Sequence, residues 1–230
     1  LMPENGAVVK TIVTTEIVRP IAESFGVEVF DVLTGFKYIA EKIREFEESG
    51  KYSYVFGFEE SYGFLSGTYT RDKDSVSTAL LLCEMAACYK LRGANLFDAL
   101  DELYQKYGYY KEEVISYTFK GIDGVRKIEG IMTSLRENGI TELCGLKTAW
   151  VRDYETGVFN NLMSGETEKS SLPPSNVLHY TFEDGSWFCV RPSGTEPKLK
   201  IYYGVKGESL KESENKSLKF KAEGDRIING

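Results

Sequence analysis

The first half of the chain alternates between strand-like and helix-like segments, and this alternation constrains the fold more than any other feature. Apolar, β-branched stretches at residues 7–14, 27–32 and 52–57 are typical of buried strands. The first two are followed by helical patterns that end near Gly26 and Gly50. Strands that alternate with helices indicate βαβ units, so we expect a three-layer α/β domain with a mostly parallel sheet.

A glycine-rich loop from Phe58 to about Asp74 precedes two further helices, predicted at residues 75–91 and 95–107. Near Tyr109 the pattern changes to short strands, which separates a domain at 1–109 from one at 110–230.

In the second domain, strands are predicted at 114–119, 145–151, 176–182 and 186–191, with a tight-turn signal at 183–185 and a helix at 124–137. This is an α+β pattern with an antiparallel sheet, closed by a weak helix after Gly207. We expect a hinge between the domains near residues 109–113.

Composition excludes several classes of function. A net charge of −7 argues against broad binding to nucleic acid or to an anionic membrane, although a local cluster of cations can still hold an anionic ligand. The four cysteines show no CxxC spacing, so we expect free thiols in a reducing cytosol rather than a metal site. The single histidine, His179, lies within a predicted strand and is expected to be structural.

One short segment carries the strongest chemical signal. The sequence Arg-Pro-Ser-Gly-Thr-Glu-Pro-Lys at residues 191–198 directly follows an apolar strand. A glycine that lets backbone N–H groups converge, two hydroxyls and a guanidinium are the groups that bind phosphate. The candidate phosphate-binding residues are Arg191, Ser193, Gly194, Thr195 and Lys198.

This octapeptide resembles the phosphate-binding loop of the α-D-phosphohexomutases, and three upstream segments resemble other loops of that family in the same order. They are Thr-Gly-Phe-Lys at 34–37, Gly-Phe-Glu-Glu-Ser-Tyr-Gly at 57–63 and Thr-Arg-Asp-Lys-Asp at 70–74. The resemblance implies the C-terminal half of a bacterial-type α-phosphoglucomutase, with the α/β domain 3 followed by the TBP-like domain 4.

The resemblance implies that the upstream loops bind the sugar. The candidate substrate-binding residues are Thr34, Gly35, Glu59, Ser61 and Lys73. A carboxylate such as Glu59 accepts hydrogen bonds from neighbouring sugar hydroxyls, and a serine hydroxyl both donates and accepts. Contact of Lys73 with substrate is expected, and a proton-transfer role for it is a further hypothesis. Glu60 is expected to be structural, bonded to backbone N–H groups.

Two loops of the family are absent from the sequence. Family members hold a phosphoserine in a Ser-His-Asn-Pro type loop and Mg²⁺ on an Asp-Gly-Asp-x-Asp-Arg type loop, and neither string occurs here. We therefore expect domains 1 and 2 to be missing partners and the fragment to be inactive alone, with no catalytic residue and no metal site of its own. In their absence, an apolar helix surface is expected to be exposed.

The implied reaction is the interconversion of glucose 1-phosphate and glucose 6-phosphate in the cytoplasm through glucose 1,6-bisphosphate. Phosphopentomutase, whose relatives share the Gly-Phe-Glu-Glu start, and phosphomannomutase are the alternatives within the family. A phosphosugar-binding module without catalytic activity is the alternative from another class.

Overall fold

The structure is a computed structural model that describes residues 2–194 and 196–229. Its internal contacts divide the chain into two compact units, the first ending at Gly108 and the second starting at Tyr109. Within the described ranges, no helix combines the length and the apolar character that crossing a membrane requires.

The first unit contains a four-stranded sheet in the order β2-β1-β3-β4. Its elements are β1 (Gly6–Thr11), α1 (Val18–Ser24), β2 (Glu28–Val32), α2 (Phe36–Ser49), β3 (Ser53–Glu59), β4 (Gly63–Leu65), α3 (Ser75–Leu91) and α4 (Leu96–Tyr107). β1 runs parallel to both β2 and β3, which confirms the predicted sheet, and β4 is antiparallel to β3. The sequence pattern did not predict β4, which lies inside the segment expected to be a loop.

Helices cover both faces of the β1–β3 part of this sheet. On one face, Ile39, Ile43 and Phe46 recur at helical spacing along α2 and pack with Val9 of β1. On the other face, Ala22 of α1 packs with Val8 and Val27. Before α1, the Thr15 hydroxyl accepts a hydrogen bond from the Ile17 backbone N–H at 3.4 Å.

α3 begins with a side-chain cap but buries little of its length. Asp74 accepts hydrogen bonds from the backbone N–H groups of Val76 and Ser77, which explains why the helix begins at Ser75. No residue of α3 is classed as buried. Its exposed apolar side chains include those of Val76, Leu80, Leu81, Leu82 and Met85. This is the exposed apolar helix surface that the sequence predicted.

The second unit is an antiparallel sheet in the order β5-β12-β11-β10-β7-β8-β9, with β6 paired to β7. Its elements are β5 (Tyr109–Thr118), α5 (Gly121–Asn138), β6 (Glu142–Leu143), β7 (Leu146–Asp153), β8 (Val158–Asn161), β9 (Thr167–Lys169), β10 (Leu178–Phe182), β11 (Trp187–Pro192), β12 (Lys198–Gly207) and α6 (Leu210–Asn229). The α+β prediction is confirmed.

Both helices of the second unit pack on the same face of its sheet. Val190 and Ile201 point to this face and form one core with Met132 of α5 and Phe220 of α6. Residues 109–113, where a hinge was expected, belong instead to β5 and pair with β12. The residue between α4 and β5 is Gly108, whose φ of 101° favours glycine.

Candidate functional site

In the first unit, the predicted sugar-binding loop is a tight hairpin between β3 and β4. Glu59 ends β3 and pairs with Gly63, so only three residues form the turn. Glu59 is buried, with 8% of its surface exposed, whereas Ser61 and Tyr62 project into solvent. Tyr62 adopts a φ of 61°, an uncommon conformation for a residue other than glycine. The hairpin thus exposes Ser61 to solvent and keeps Glu59 buried.

Glu59 and Lys73, which are distant in sequence, meet over Gly63. A Cβ atom at Gly63 would lie 2.6 Å from Glu59 Oε1 and 2.6 Å from Lys73 Cδ. The absence of a side chain at this position therefore allows the Glu59 and Lys73 side chains to approach each other. Lys73 Nζ lies 5.4 Å from the ring centroid of Phe36, the first residue of α2, which follows Thr34 and Gly35.

Thr34 and Gly35 connect β2 to α2. Gly35 is the N-cap of α2 with a φ of 123°, which disfavours any residue with a side chain. The Thr34 Oγ1 atom is buried and has no hydrogen-bond partner among the described residues. A buried hydroxyl without a partner is costly, so it is suited to a ligand that supplies one.

The local charge keeps Lys73 protonated. Its Nζ atom lies 2.9 Å from Asp72 Oδ1, and this hydrogen bond, with a smaller contribution from the Glu59 charge, raises the pKa of Lys73. A raised pKa favours the ammonium form at neutral pH. The arrangement is suited to a cation that donates hydrogen bonds, and less to a base that accepts a proton.

Glu60 points away from Glu59, toward β1. The Thr11 hydroxyl lies 3.1 Å from Glu60 Oε2 and donates to it, and the Thr14 hydroxyl lies 2.5 Å from Thr11 Oγ1. Because Thr11 uses its proton toward the carboxylate, Thr14 donates to Thr11. The bond between Thr11 and Glu60 fastens the hairpin between β3 and β4 to the end of β1.

A buried lysine that the sequence analysis did not identify holds the turn after β1 in place. Lys10 is fully buried, and its Nζ atom lies 2.8 Å from Glu16 Oε1 and 3.0 Å from Asp31 Oδ1. It also donates to the carbonyl oxygens of Thr11 and Thr14, each at 3.3 Å. A lysine inside an otherwise apolar strand was the available signal, because a buried ammonium needs paired carboxylates.

Arg19 completes this ion-pair cluster by contacting both Glu16 and Asp31. Burial by itself would raise the pKa of Asp31, but the charges of Lys10 and Arg19 outweigh it and lower that pKa below its ordinary value. The lowered pKa of Asp31 favours its carboxylate form at neutral pH.

In the second unit, the predicted phosphate-binding loop connects β11 to β12. The Ser193 N–H donates to the Lys198 carbonyl at 2.8 Å and closes the loop at its base. Ser193 and Gly194 line an open cleft of about 630 Å³, together with the start of α5. Thr195, also predicted to bind phosphate, lies outside the described residues.

The two predicted cations of this loop have partners within the unit. Arg191 donates from Nη1 to the Tyr202 hydroxyl at 3.3 Å, so its side chain extends along the sheet. Lys198 Nζ lies 2.7 Å from Glu196 Oε2, and this hydrogen bond lowers the pKa of Glu196. The described residues contain no group of three or more His, Cys, Asp or Glu side chains arranged to hold a metal ion. The Mg²⁺ that the resemblance implies therefore has no fitting site among these residues.

Comparisons with known proteins cover both units. The family model "Phosphoglucomutase/phosphomannomutase, alpha/beta/alpha domain III" matches residues 1–107, and the C-terminal domain model of the same family matches residues 120–218. A phosphoglucomutase of Staphylococcus saprophyticus is 36% identical over 89% of this chain, and one of Staphylococcus aureus is 40% identical over 86%. The chain spans only 37% and 35% of these relatives.

Solved structures share the fold at low sequence identity. The open form of the phosphoglucomutase pp63/parafusin from Paramecium aligns with 97% of this chain at a TM-score of 0.63 and 16% identity. A putative phosphomannomutase from Thermus thermophilus aligns with 99% at a TM-score of 0.59 and 20% identity. The chain covers 37% of each. This chain belongs to the phosphoglucomutase/phosphomannomutase family, of which it carries domain III and the C-terminal domain.

Proposed function

We propose that this chain is the sugar-binding and phosphate-binding part of a phosphoglucomutase, which interconverts glucose 1-phosphate and glucose 6-phosphate through glucose 1,6-bisphosphate. The observation that carries this proposal is the meeting of Glu59 and Lys73 over Gly63, beside the start of α2. A carboxylate and an ammonium held together offer acceptors and donors for adjacent sugar hydroxyls. The names of the curated relatives support glucose as the sugar.

In this proposal each loop has its own part. Glu59 accepts from sugar hydroxyls, Ser61 and Thr34 exchange hydrogen bonds with them, Gly35 leaves room for the ligand, and Lys73 contacts the substrate as a cation. The loop from Arg191 to Lys198 binds the phosphate group that is not transferred, with Ser193, Gly194 and Thr195 as hydrogen-bond donors. Phosphoryl transfer itself requires a phosphoserine and Mg²⁺, which the resemblance assigns to domains 1 and 2.

We accordingly expect the isolated 230-residue chain to bind phosphosugars without isomerising them. We also propose a cytoplasmic location. The free thiols of Cys83 and Cys88, exposed on α3, support a reducing compartment.

Calorimetric titration of the chain with glucose 1,6-bisphosphate tests the sugar-binding part. We expect Glu59→Gln to weaken binding by about tenfold or more, as for the loss of a hydrogen bond to a charged group. The matched control is Glu48→Gln, an exposed carboxylate at the end of α2 that should bind as the wild type does. Equal affinity of Glu59→Gln and wild type would contradict the assignment.

The preferred sugar is a separate question with its own assay. Mutase activity of the complete protein on glucose 1-phosphate, mannose 1-phosphate and ribose 1-phosphate distinguishes a phosphoglucomutase from a phosphomannomutase or a phosphopentomutase. We expect the highest kcat/KM with glucose 1-phosphate. A complete protein without mutase activity on any of the three would favour the non-catalytic binding module.

A further inference from the structure

The turn that carries Ser61 lies at the end of a short hairpin. β3 and β4 pair at three positions, and residues 60–62 lie beyond the last pair, which joins Glu59 to Gly63. Tyr62 in this turn has a φ of 61° and is 90% exposed. A short two-stranded hairpin is marginally ordered by itself, and a side-chain-bearing residue in the left-handed region persists only where its surroundings hold it. A tie to the rest of the unit therefore matters for the order of this turn.

A hydrogen bond from the end of β1 provides such a tie. The Thr11 hydroxyl donates to Glu60 Oε2 at 3.1 Å, although 49 positions separate the two residues in sequence. Thr11 is the last residue of β1, which lies inside the sheet between β2 and β3. Glu60 is the first residue of the turn, directly before Ser61. The bond therefore connects the turn to an interior strand.

The Thr11 side of this bond is firmly held. Thr11 is fully buried, and its hydroxyl also contacts the Thr14 hydroxyl at 2.5 Å. The Thr14 N–H donates to the Thr11 carbonyl oxygen at 3.1 Å, and Lys10 Nζ lies 3.3 Å from the carbonyl oxygens of both threonines. Lys10 is in turn paired with Glu16 and Asp31. Buried polar groups that satisfy one another rigidify their surroundings. Thr11 is thus the fixed end of the bond, and the exposed turn is the end that it restrains.

The two neighbours of Glu60 in sequence depend on this restraint to different degrees. Glu59 is buried and its backbone pairs with Gly63, so the strand ladder already keeps it in place. Ser61 lies beyond the ladder and is exposed. Of the two side chains proposed to bind the sugar in this hairpin, Ser61 is therefore the one whose position depends on Glu60.

We propose that Thr11 and Glu60 are positioning residues, whose hydrogen bond holds the turn so that the Ser61 hydroxyl meets a sugar hydroxyl. This inference rests on the proposed function, because it takes Ser61 as a residue that contacts the sugar. Thr11 and Glu60 act through Ser61 and not by touching the ligand. A turn that is ordered before the ligand arrives binds more tightly, because less conformational freedom is lost on binding.

Calorimetric titration of the 230-residue chain with glucose 1,6-bisphosphate tests the Thr11 side of the bond. We expect Thr11→Val, which keeps the shape and removes the hydroxyl, to weaken binding about fivefold, the cost of ordering one side chain on binding. Thr11→Ser keeps the hydroxyl and should bind within about twofold of the wild type. The matched control is Thr148→Val, which removes another buried, hydrogen-bonded threonine hydroxyl, in the second unit, and should leave binding unchanged.

Variants of Glu60 test the bond from the half-buried side, and they decide the matter if Thr11→Val does not fold. Glu60→Gln and Glu60→Ala both remove the charge, but only glutamine keeps a side-chain oxygen that can accept from Thr11. We expect Glu60→Ala to bind about fivefold more weakly than Glu60→Gln. In the Glu60→Ala background, Thr11→Val should have no further effect, because the two changes remove the same interaction.

A double-mutant cycle with Ser61 distinguishes positioning from a general loss of stability. In Ser61→Ala the hydroxyl that the bond positions is gone, so the addition of Thr11→Val should leave the affinity unchanged. A destabilised fold would instead lower the affinity equally with and without the Ser61 hydroxyl. Urea unfolding of the same variants measures their stability.

The outcomes separate this inference from the proposed function. If Thr11→Val binds like the wild type while Glu59→Gln binds more weakly, the positioning role is refuted and the proposed function stands. Equal losses from Thr11→Val in the wild-type and Ser61→Ala backgrounds would refute the positioning role as well. If the wild-type chain does not bind glucose 1,6-bisphosphate at all, the sugar-binding assignment fails and the positioning role fails with it.

Discussion

At Gly63, a single added methyl group should disturb the proposed sugar-binding site. Replacing Gly63 by alanine would place a methyl group within 2.7 Å of both the Glu59 side chain and the Lys73 side chain. Two side chains that the proposal assigns to the sugar would then have to move apart. The fold should tolerate this, because both are long side chains that can change rotamer.

We expect Gly63→Ala to weaken binding of glucose 1,6-bisphosphate by about tenfold, the cost of displacing one charged hydrogen bond. Calorimetric titration measures the affinity, and circular dichroism verifies the fold. Gly130→Ala is a suitable control, because an added Cβ there meets no atom within 4 Å. An unchanged affinity in Gly63→Ala would show that the close approach of Glu59 and Lys73 is unimportant for ligand binding.

At the scale of elements, the ion-pair cluster joins β1, β2 and the turn before α1, and its stability should depend on pH. The pKa of Asp31 in the folded state is lowered, so its contribution is fully present above the ordinary aspartate pKa of about 3.9. That contribution is lost as the pH falls through the folded-state pKa. The stabilisation that Asp31 contributes should therefore be present at neutral pH and be lost in acid.

We expect Asp31→Asn to lower the free energy of unfolding at pH 7 by an amount near the low end of about 1.5–3 kcal/mol. The loss is limited because the Asp31 side chain is partly exposed and Glu16 still pairs with Lys10. The difference from the wild type should shrink as the pH falls below about 3.9. Urea unfolding of the variant and the wild type, from pH 7 to below about 3.9, measures the loss of free energy and its dependence on pH. Asp101→Asn, an exposed change on α4, is the control, and an equal loss for both variants would argue against the cluster.

The sequence pattern predicted some elements of this fold much better than others. β2 and α3 lie almost where their patterns placed them, because a β-branched strand and a capped apolar helix are local signals. β4 was missed because its three residues depend on pairing with β3 rather than on their own propensity. β8 and β9 were not predicted either, because they are short, lie near the edge of the sheet and show little apolar alternation.

β12 was not predicted, although its alternation was visible. Lys198–Gly207 places Leu199, Ile201 and Tyr203 on one face, as a half-buried strand should. The phosphate-loop motif was interpreted as ending at Lys198, and the residues that follow it, up to Gly207, were left unassigned.

At the scale of the whole molecule, the second unit has the properties of a domain that folds alone. Its main core is built entirely from its own residues, between Ile115 and Ile228. β5 pairs with β12 along its whole length, which joins the beginning of the unit to its last strand. A self-contained core of this kind is what independent folding requires.

We expect residues 109–230, expressed alone, to unfold cooperatively in urea and to retain phosphate binding without binding glucose. Both tryptophans of the chain, Trp150 and Trp187, lie in this unit, so their fluorescence reports on its unfolding. A broad transition, or loss of phosphate affinity relative to the 230-residue chain, would contradict independent folding of the unit.

The amino-acid order alone was enough for the class of each domain, for the four family loops and for the residues expected to bind sugar and phosphate. These are local properties, because propensity, periodicity and loop motifs are written within a few neighbouring residues. Three features emerged only after folding. They are the approach of Glu59 to Lys73, the buried pairing of Lys10 and the fastening of Glu60 by Thr11. Each depends on strand register and on packing between distant segments, which no local pattern specifies.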